Sequence, residues 1–227
     1  MVRNNKQSGK KVVQKDRTGR TVKDLQLLSN AHPGKDLHLS IDLRMQYVAY
    51  RELKAVVQQH KASSGSAVVL DAQTGEILAM VNQPAYNPNN RAVMSIDSLR
   101  NRALTDVLEP GSTMKPLTIA AALMSGQYGP DSKVDTNPGF IKVKRKTIRD
   151  HRNYGVLDIT GIITKSSNVG VTKLALSLPE NSVRETFYSF GLGQATATGF
   201  PGESTGILPS YTKWNPINLA TMAYGYG

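Results

Sequence analysis

The chain has no cysteine among its 227 residues, which excludes disulfides, thiolate nucleophiles and Cys-ligated metals while leaving the compartment open. Long apolar runs are missing too. Nothing reaches the eighteen or so residues of a membrane span, and Met1-Val2-Arg3-Asn4-Asn5-Lys6 has no apolar h-region. The expectation is a chain without span or signal peptide, soluble as it stands. Histidine is scarce: His32, His38, His60 and His151 form no H-E-x-x-H or similar grouping, which speaks against a histidine metal site or a Ser-His-Asp triad.

Acidic residues are short as well, 17 against 28 lysines and arginines, giving a net charge of +11. Such an excess suits an anionic partner, whether nucleic acid, lipid surface or acidic polymer. It concentrates in Lys10 to Arg20 and in Lys142 to Lys146 with Arg149 and Arg152. Neither stretch interleaves aromatics, and the second alternates like a strand with one wet face, so a solvated hairpin is the better reading than nucleic-acid binding.

What is present supports a core. The hydrophobic fraction is 39%, enough for one large domain or one with an appendage. Short β-like pieces flank the turn Asp16 to Arg20 near the start. Leu37 to Ile41 alternates as a strand. Asp42 then caps a helix with apolar positions Met45, Val48, Ala49, Leu53, Val56 and Val57. Ser66 to Asp71 and Glu76 to Val81 make a hairpin about Gln73-Thr74-Gly75. A Pro- and Asn-rich loop spans Gln83 to Asn90. Further helices are expected over Asp158 to Ile163, Val169 to Leu178 and Val183 to Phe190. Gly191-Leu192-Gly193 follows a helix rather than a strand, so it reads as a C-cap and not a dinucleotide fingerprint.

Two clusters carry chemistry. Ser112-Thr113-Met114-Lys115 opens an apolar run through Met124 in which Lys115 is the only charge. Helical spacing puts the Ser112 hydroxyl and the Lys115 amine on one face. Burial and the positive end of a helix both lower a lysine pKa, and a neutral amine can activate a serine. Taken alone, the pattern reads as an N-cap followed by a snorkelling lysine. Ser166-Ser167-Asn168, taken alone, is likewise an N-cap, although a hydroxyl and an amide on one turn can relay a proton and hold a carbonyl. In this order the two are the first two-thirds of the penicillin-recognising serine signature.

The flanks extend the resemblance. Glu109-Pro110-Gly111-Ser112-Thr113-Met114-Lys115-Pro116, Lys165 to Gly170, Ser64 to Val69 and the closing Tyr224-Gly225-Tyr226-Gly227 are similar to class B penicillin-binding proteins. Phe190-Gly191-Leu192-Gly193 and Tyr86 to Asn90 resemble the division-specific branch, the penicillin-binding protein 3 type, and the likeness runs from about Val12 to the last residue.

That resemblance implies an α+β fold of the penicillin-binding and serine β-lactamase kind, with mixed helices packed on a mainly antiparallel sheet. Residues 1–33 would end an N-terminal pedestal and 34–227 would form a partial transpeptidase domain. It further implies a D,D-transpeptidase of the periplasmic face of the inner membrane, cross-linking peptidoglycan stem peptides at the septum and acylated by β-lactams. Ser112 would be the acyl-carrying nucleophile and its backbone N–H half of an oxyanion hole. Lys115 would be the base, Ser166 the relay to the leaving group, and Asn168 the group that binds donor peptide and steadies Lys115. No cofactor, metal or nucleic acid is implied; division-complex proteins are implied as partners of the full-length protein.

One motif is missing: no Lys-Thr-Gly or Lys-Ser-Gly follows Asn168. Thr196 to Gly199 and Ser204-Thr205-Gly206 lack the lysine, and Arg17-Thr18-Gly19 comes too early. The expectation is therefore a fragment incomplete at its C-terminus, with the anchor elsewhere in the full-length protein. The alternatives are a non-catalytic basic binding module and, within the serine enzymes, a penicillin-sensing receptor or a β-lactamase.

Overall fold

Local rules build most of the elements. The computed structural model describes residues 7–34, 36–90, 94–210 and 214–226, which fall into two compact units, Met1–Ala103 and Leu104–Gly227. Gly227, the last residue of the closing motif, lies outside the described residues.

In the first unit, β1 (Lys10–Lys15) and β2 (Thr21–Ser29) pair antiparallel through several register shifts. Asp16 folds the turn between them, its carboxylate accepting from the Thr18 and Arg20 amides at 2.8 and 3.0 Å, an Asx turn that adds to the backbone bonds from Asp16 to Arg20 and from Gly19 to Asp16. Helix α1 (Leu43–Gln59) starts where expected, with Asp42 accepting from the Arg44 and Met45 amides. Strands β3 (Gly65–Leu70) and β4 (Ile77–Gln83) form the expected hairpin and pack against α1.

Two expectations fail in this unit. Leu37 to Ile41 alternates but forms no strand. Among the described residues, single bonds dock the segment and the residue after it: the Ser40 hydroxyl donates to the Ile77 carbonyl and the Asp42 amide to that of Leu78. A period of two needs a partner ladder to become a strand, and β4 meets this segment only at its first residues. The stripe of α1 is also displaced. Ala49, Leu53 and Val57 are half-buried, whereas Met45, Val48 and Val56 are exposed. Gln46 takes the inner place instead, its side-chain amide donating to the Met80 carbonyl at 2.9 Å and accepting from the Met80 amide at 2.8 Å. Short helices α2 (Ile96–Leu99) and α3 (Arg102–Thr105) follow.

The second unit holds the buried core. A 3-10 turn, Gly111–Met114, runs into α4 (Lys115–Met124). Strand β5 (Lys133–Asp135) pairs with β8 (Val156–Asp158), and between them β6 (Phe140–Val143) and β7 (Lys146–Arg149) form the basic hairpin. Helices α5 (Ile159–Thr164), α6 (Asn168–Ser177), α7 (Ser182–Ser189) and α8 (Pro216–Met222) complete it. Among the described residues every strand pairing is antiparallel, in four two-stranded ribbons.

Helix α4 is apolar nearly all round because it packs against both α6 and α7. Ala122, Leu174, Val183 and Phe187 are buried in that core; truncating a phenylalanine so placed costs about 3–5 kcal/mol. Two polar groups in it are paired across elements, whereas the Thr172 hydroxyl is buried without a partner among the described residues. Thr118, fully buried, donates to the Ala223 carbonyl at 2.8 Å, tying α4 to the end of α8. The Trp214 indole donates to Asn181. Among the described residues no helix is long and apolar enough to cross a membrane.

Candidate active site

Ser112 does not sit on the α-helix itself but in the 3-10 turn before it. The turn ends at Met114 and Lys115 is the first residue of α4, so the two side chains lie on either side of the junction between the 3-10 and α-helical geometries. The Lys115 amide closes the turn onto the Ser112 carbonyl, and Pro116 follows in the first turn of α4, where its missing N–H costs nothing. The Ser112 side chain is exposed, and among the described residues it takes no hydrogen bond.

Lys115 is the opposite. It is 2% exposed, so it does not snorkel to water. Burial lowers its amine from 10.5 to about 8, and the negative charge of Asp150 offsets part of that. The Nζ donates to the Ser166 carbonyl at 2.5 Å and to the Ser166 hydroxyl at 2.9 Å.

Ser166 can present both oxygens because its backbone is left-handed, at φ +53°. A non-glycine residue held there stores about 1–3 kcal/mol of strain and needs its surroundings to impose it. The surroundings do so: the Ser166 and Ser167 amides donate back to the Ile163 and Ile162 carbonyls of α5. The chain then turns directly into α6, capped by Ser167, whose hydroxyl accepts from the Gly170 amide at 2.8 Å.

Asp150, at the end of β7, organises this turn. One carboxylate oxygen accepts from the Ser167 hydroxyl at 2.7 Å. The other accepts from the Asn168 and Val169 amides at 2.6 and 3.0 Å. The carboxylate thus faces the positive end of α6. The Asn168 side chain donates to the Arg149 carbonyl at 3.0 Å. The structure therefore brings Lys115 and Ser166 into contact, leaves the Ser112 hydroxyl without a bond to either, and turns the Asn168 amide toward β7.

Sequence reasoning missed Asp150. The available signal was a single carboxylate among six cations between Lys142 and Arg152, a place where an unpaired acid would be unremarkable. An apolar cavity of about 410 Å³ lies beside the Ser112 turn, lined by Leu108, Pro110, Met114, Phe187 and Tyr226 among others. Among the described residues no group of three or more His, Asp or Glu is placed to hold a metal ion.

Buried lysine, strained serine and exposed serine hydroxyl together can run nucleophilic acyl transfer. The exposed hydroxyl is accessible to a carbonyl, the amine can take its proton, and the Ser166 hydroxyl can pass that proton on.

Comparison with known proteins points the same way. The penicillin binding protein transpeptidase domain matches residues 65–227. The chain is 44% identical over 221 residues to the peptidoglycan D,D-transpeptidase FtsI of Escherichia coli K12, covering 97% of this chain and 37% of that protein. It is 46% identical over 223 residues to the probable peptidoglycan D,D-transpeptidase PenA of Neisseria flavescens, with 97% and 55% covered. Among solved structures, the apo transpeptidase domain of Burkholderia pseudomallei penicillin-binding protein 3 superposes with a TM-score of 0.75 at 41% identity. That match covers 86% of this chain and 55% of that one. A peptidoglycan glycosyltransferase from Burkholderia ambifaria gives 0.75 at 44%, with 84% and 56% covered. The chain thus spans well under two-thirds of each of these relatives.

Proposed function

Because the chain belongs to the penicillin-binding protein transpeptidase family, we propose that it cross-links peptidoglycan stem peptides as a serine D,D-transpeptidase of the division septum. The observation that carries this reading is the buried Lys115, its amine lowered to about 8 and bonded to Ser166, three residues after the exposed Ser112. The matched relatives are named as transpeptidases, which favours acyl transfer over a non-catalytic basic module.

In the proposed reaction the Ser112 Oγ attacks the carbonyl carbon between the two terminal D-Ala residues. Its proton passes to the neutral Lys115 amine. The tetrahedral oxyanion forms against the Ser112 backbone N–H, which helix geometry leaves without an intrahelical partner in the first turn. Collapse breaks the C–N bond, and the Ser166 hydroxyl, recharged by Lys115, protonates the departing D-Ala amine. An acceptor amine from a second stem peptide then attacks the ester, forms the cross-link and restores Ser112. Asn168 would hold the donor peptide backbone from the other side of the turn. A β-lactam enters the same first step, its ring amide standing in for the D-Ala peptide bond. The protein would act on the periplasmic face of the inner membrane, with residues 1–33 ending a pedestal, 34–227 forming the transpeptidase portion, and division-complex proteins as partners.

A fluorescent penicillin should label the intact protein covalently at Ser112, and Ser112→Ala should abolish the label. Labelling that survives the alanine change would sink the assignment.

A further inference from the structure

The β6–β7 hairpin carries charge that acyl transfer does not use. Between Lys142 and Arg152 stand six cations and one carboxylate, Asp150, and both oxygens of that carboxylate are occupied by the α6 turn. No ion pair among the described residues neutralises Lys142, Lys144, Arg145 or Lys146, and all four are exposed.

Register sorts them. Phe140 faces Arg149 and Lys142 faces Thr147, so these pairs share one side of the ribbon. Ile141 and Ile148 share the other, where Ile148 and Val143 are buried with Ala220. The outer face thus presents Arg149 and Lys142, and Lys144 and Arg145 extend it at the tip. The Arg149 carbonyl accepts from the Asn168 side chain, so this line of charge begins at the proposed catalytic turn and runs outward roughly 13 Å at about 3.4 Å per residue. The tip itself is strained: Lys144 is left-handed at φ +52°, where a hairpin ordinarily places glycine or asparagine.

We propose that this face docks the carboxylates of the anionic peptide strand being processed, steering it along β6–β7 toward Ser166 and Asn168; the proposal rests on the transpeptidase reading. Guanidinium and ammonium groups in a row match a peptide with several carboxylates, through charge-assisted bonds and long-range attraction. Two other polyanions fit less well. Base stacking needs open aromatic faces, whereas the nearest rings are already covered, Phe140 by Arg149 at 5.1 Å and Tyr154 by Arg152 at 5.4 Å. Membrane insertion needs apolar residues at the tip, and there are none between Val143 and Ile148.

The test uses the intact protein and a synthetic D-Ala thioester donor in two forms, one with two extra free carboxylates and one with those carboxylates amidated. The altered protein carries Lys142→Gln, Lys144→Gly and Arg145→Gln; glycine relaxes the left-handed position, so the hairpin is kept while its charge is removed. At low salt the carboxylate form should acylate the unaltered protein about tenfold faster than the amidated form, a steering-sized effect. That ratio should fall to near one in the altered protein, and also at about 1 M salt, where the screening length is about 3 Å. The amidated donor should react alike with both proteins. A ratio near one in the unaltered protein, or one that survives the substitutions, would overturn the proposal. So would substitutions that weaken binding to phosphatidylglycerol vesicles or to a single-stranded oligonucleotide while leaving the ratio intact. Failure of both donors to acylate the unaltered protein is a different result, one that removes the transpeptidase reading itself.

Discussion

Gly225 stands so close to Gly111 that a β-carbon on it would lie 2.0 Å from the Gly111 carbonyl oxygen, while the Gly111 amide donates to the Gly225 carbonyl at 3.0 Å. Both backbones are left-handed, at φ +84° and +63°. The chain after α8 therefore fixes the residue immediately before Ser112, and the approach needs glycine at 225, whereas at 111 a β-carbon would meet only Tyr226 at 3.5 Å and glycine is favoured by the left-handed backbone alone. Gly225→Ala must push the Ser112 turn aside. Since a displacement of about 1 Å at a reacting atom can cost about a hundredfold, acylation by a fluorescent penicillin should slow by roughly that factor. Calorimetry should show a loss of about 1–3 kcal/mol. Acylation at the unaltered rate would show that Gly225 does not hold Ser112.

Lys115 predicts the pH dependence of acylation. Burial lowers its amine from 10.5 to about 8, and only the neutral form accepts the Ser112 proton. The acylation rate should therefore rise about tenfold per pH unit below pH 8 and level off above it. The stability effect has the same direction. The folded pKa lies below the unfolded one, so the unfolded chain holds more protons between about pH 8 and 10.5 and stability rises with pH across that window. Below it the cost of the buried ammonium is present in full. Stopped-flow acylation across pH 6 to 10 would decide it; a flat profile would remove Lys115 as the base.

How far the site is legible from sequence follows from how local each part is. Asp42 before α1, Asp158 before α5 and Ser167 before α6 cap their helices as short-range rules require. The Ser112–Lys115 spacing reads through because a single turn sets it. Asp150 does not, since it meets its partners across 17 to 19 residues and only the fold of β7 against α6 reveals the pairing. Gln46 is hidden for a similar reason. Periodicity identifies α1 as a helix, but which face turns inward is decided by the edge of β4, where Met80 offers both an amide and a carbonyl. Leu37 to Ile41 shows the converse, an alternating pattern with no ladder to join.

Asp150→Asn separates the two roles of that carboxylate. Its negative charge raises the Lys115 pKa, so its neutralisation should move the midpoint of the acylation profile below about 8. The bonds to Ser167, Asn168 and Val169 lose their charge-assisted character, which should lower stability by about 2 kcal/mol. A midpoint shift measured alongside the thermal transition tests both. A destabilised protein whose midpoint stays at about 8 would leave Asp150 a purely structural role.

Glu203 gives a pH response at the other extreme. Its carboxylate accepts from the hydroxyls and amides of both Thr196 and Thr198, and those bonds, led by the Thr196 hydroxyl, lower it from 4.5 to about 2. A depressed carboxylate contributes order that is complete above the unfolded value of 4.5 and is lost as the pH falls through about 2. Four donors converging on one side chain are what close residues 196–203 into a loop, because the segment has no ladder or helix of its own. A glutamine offers one acceptor oxygen where the carboxylate offers two, so Glu203→Gln can satisfy only one of the two threonines. Hydrogen exchange should therefore show the Thr196 and Thr198 amides protected at neutral pH in the unaltered protein. At least one of them should exchange freely in the variant. Acidification toward pH 2 should release both in the unaltered protein, and protection that persists there, or in the glutamine variant, would show that something other than this carboxylate closes the loop.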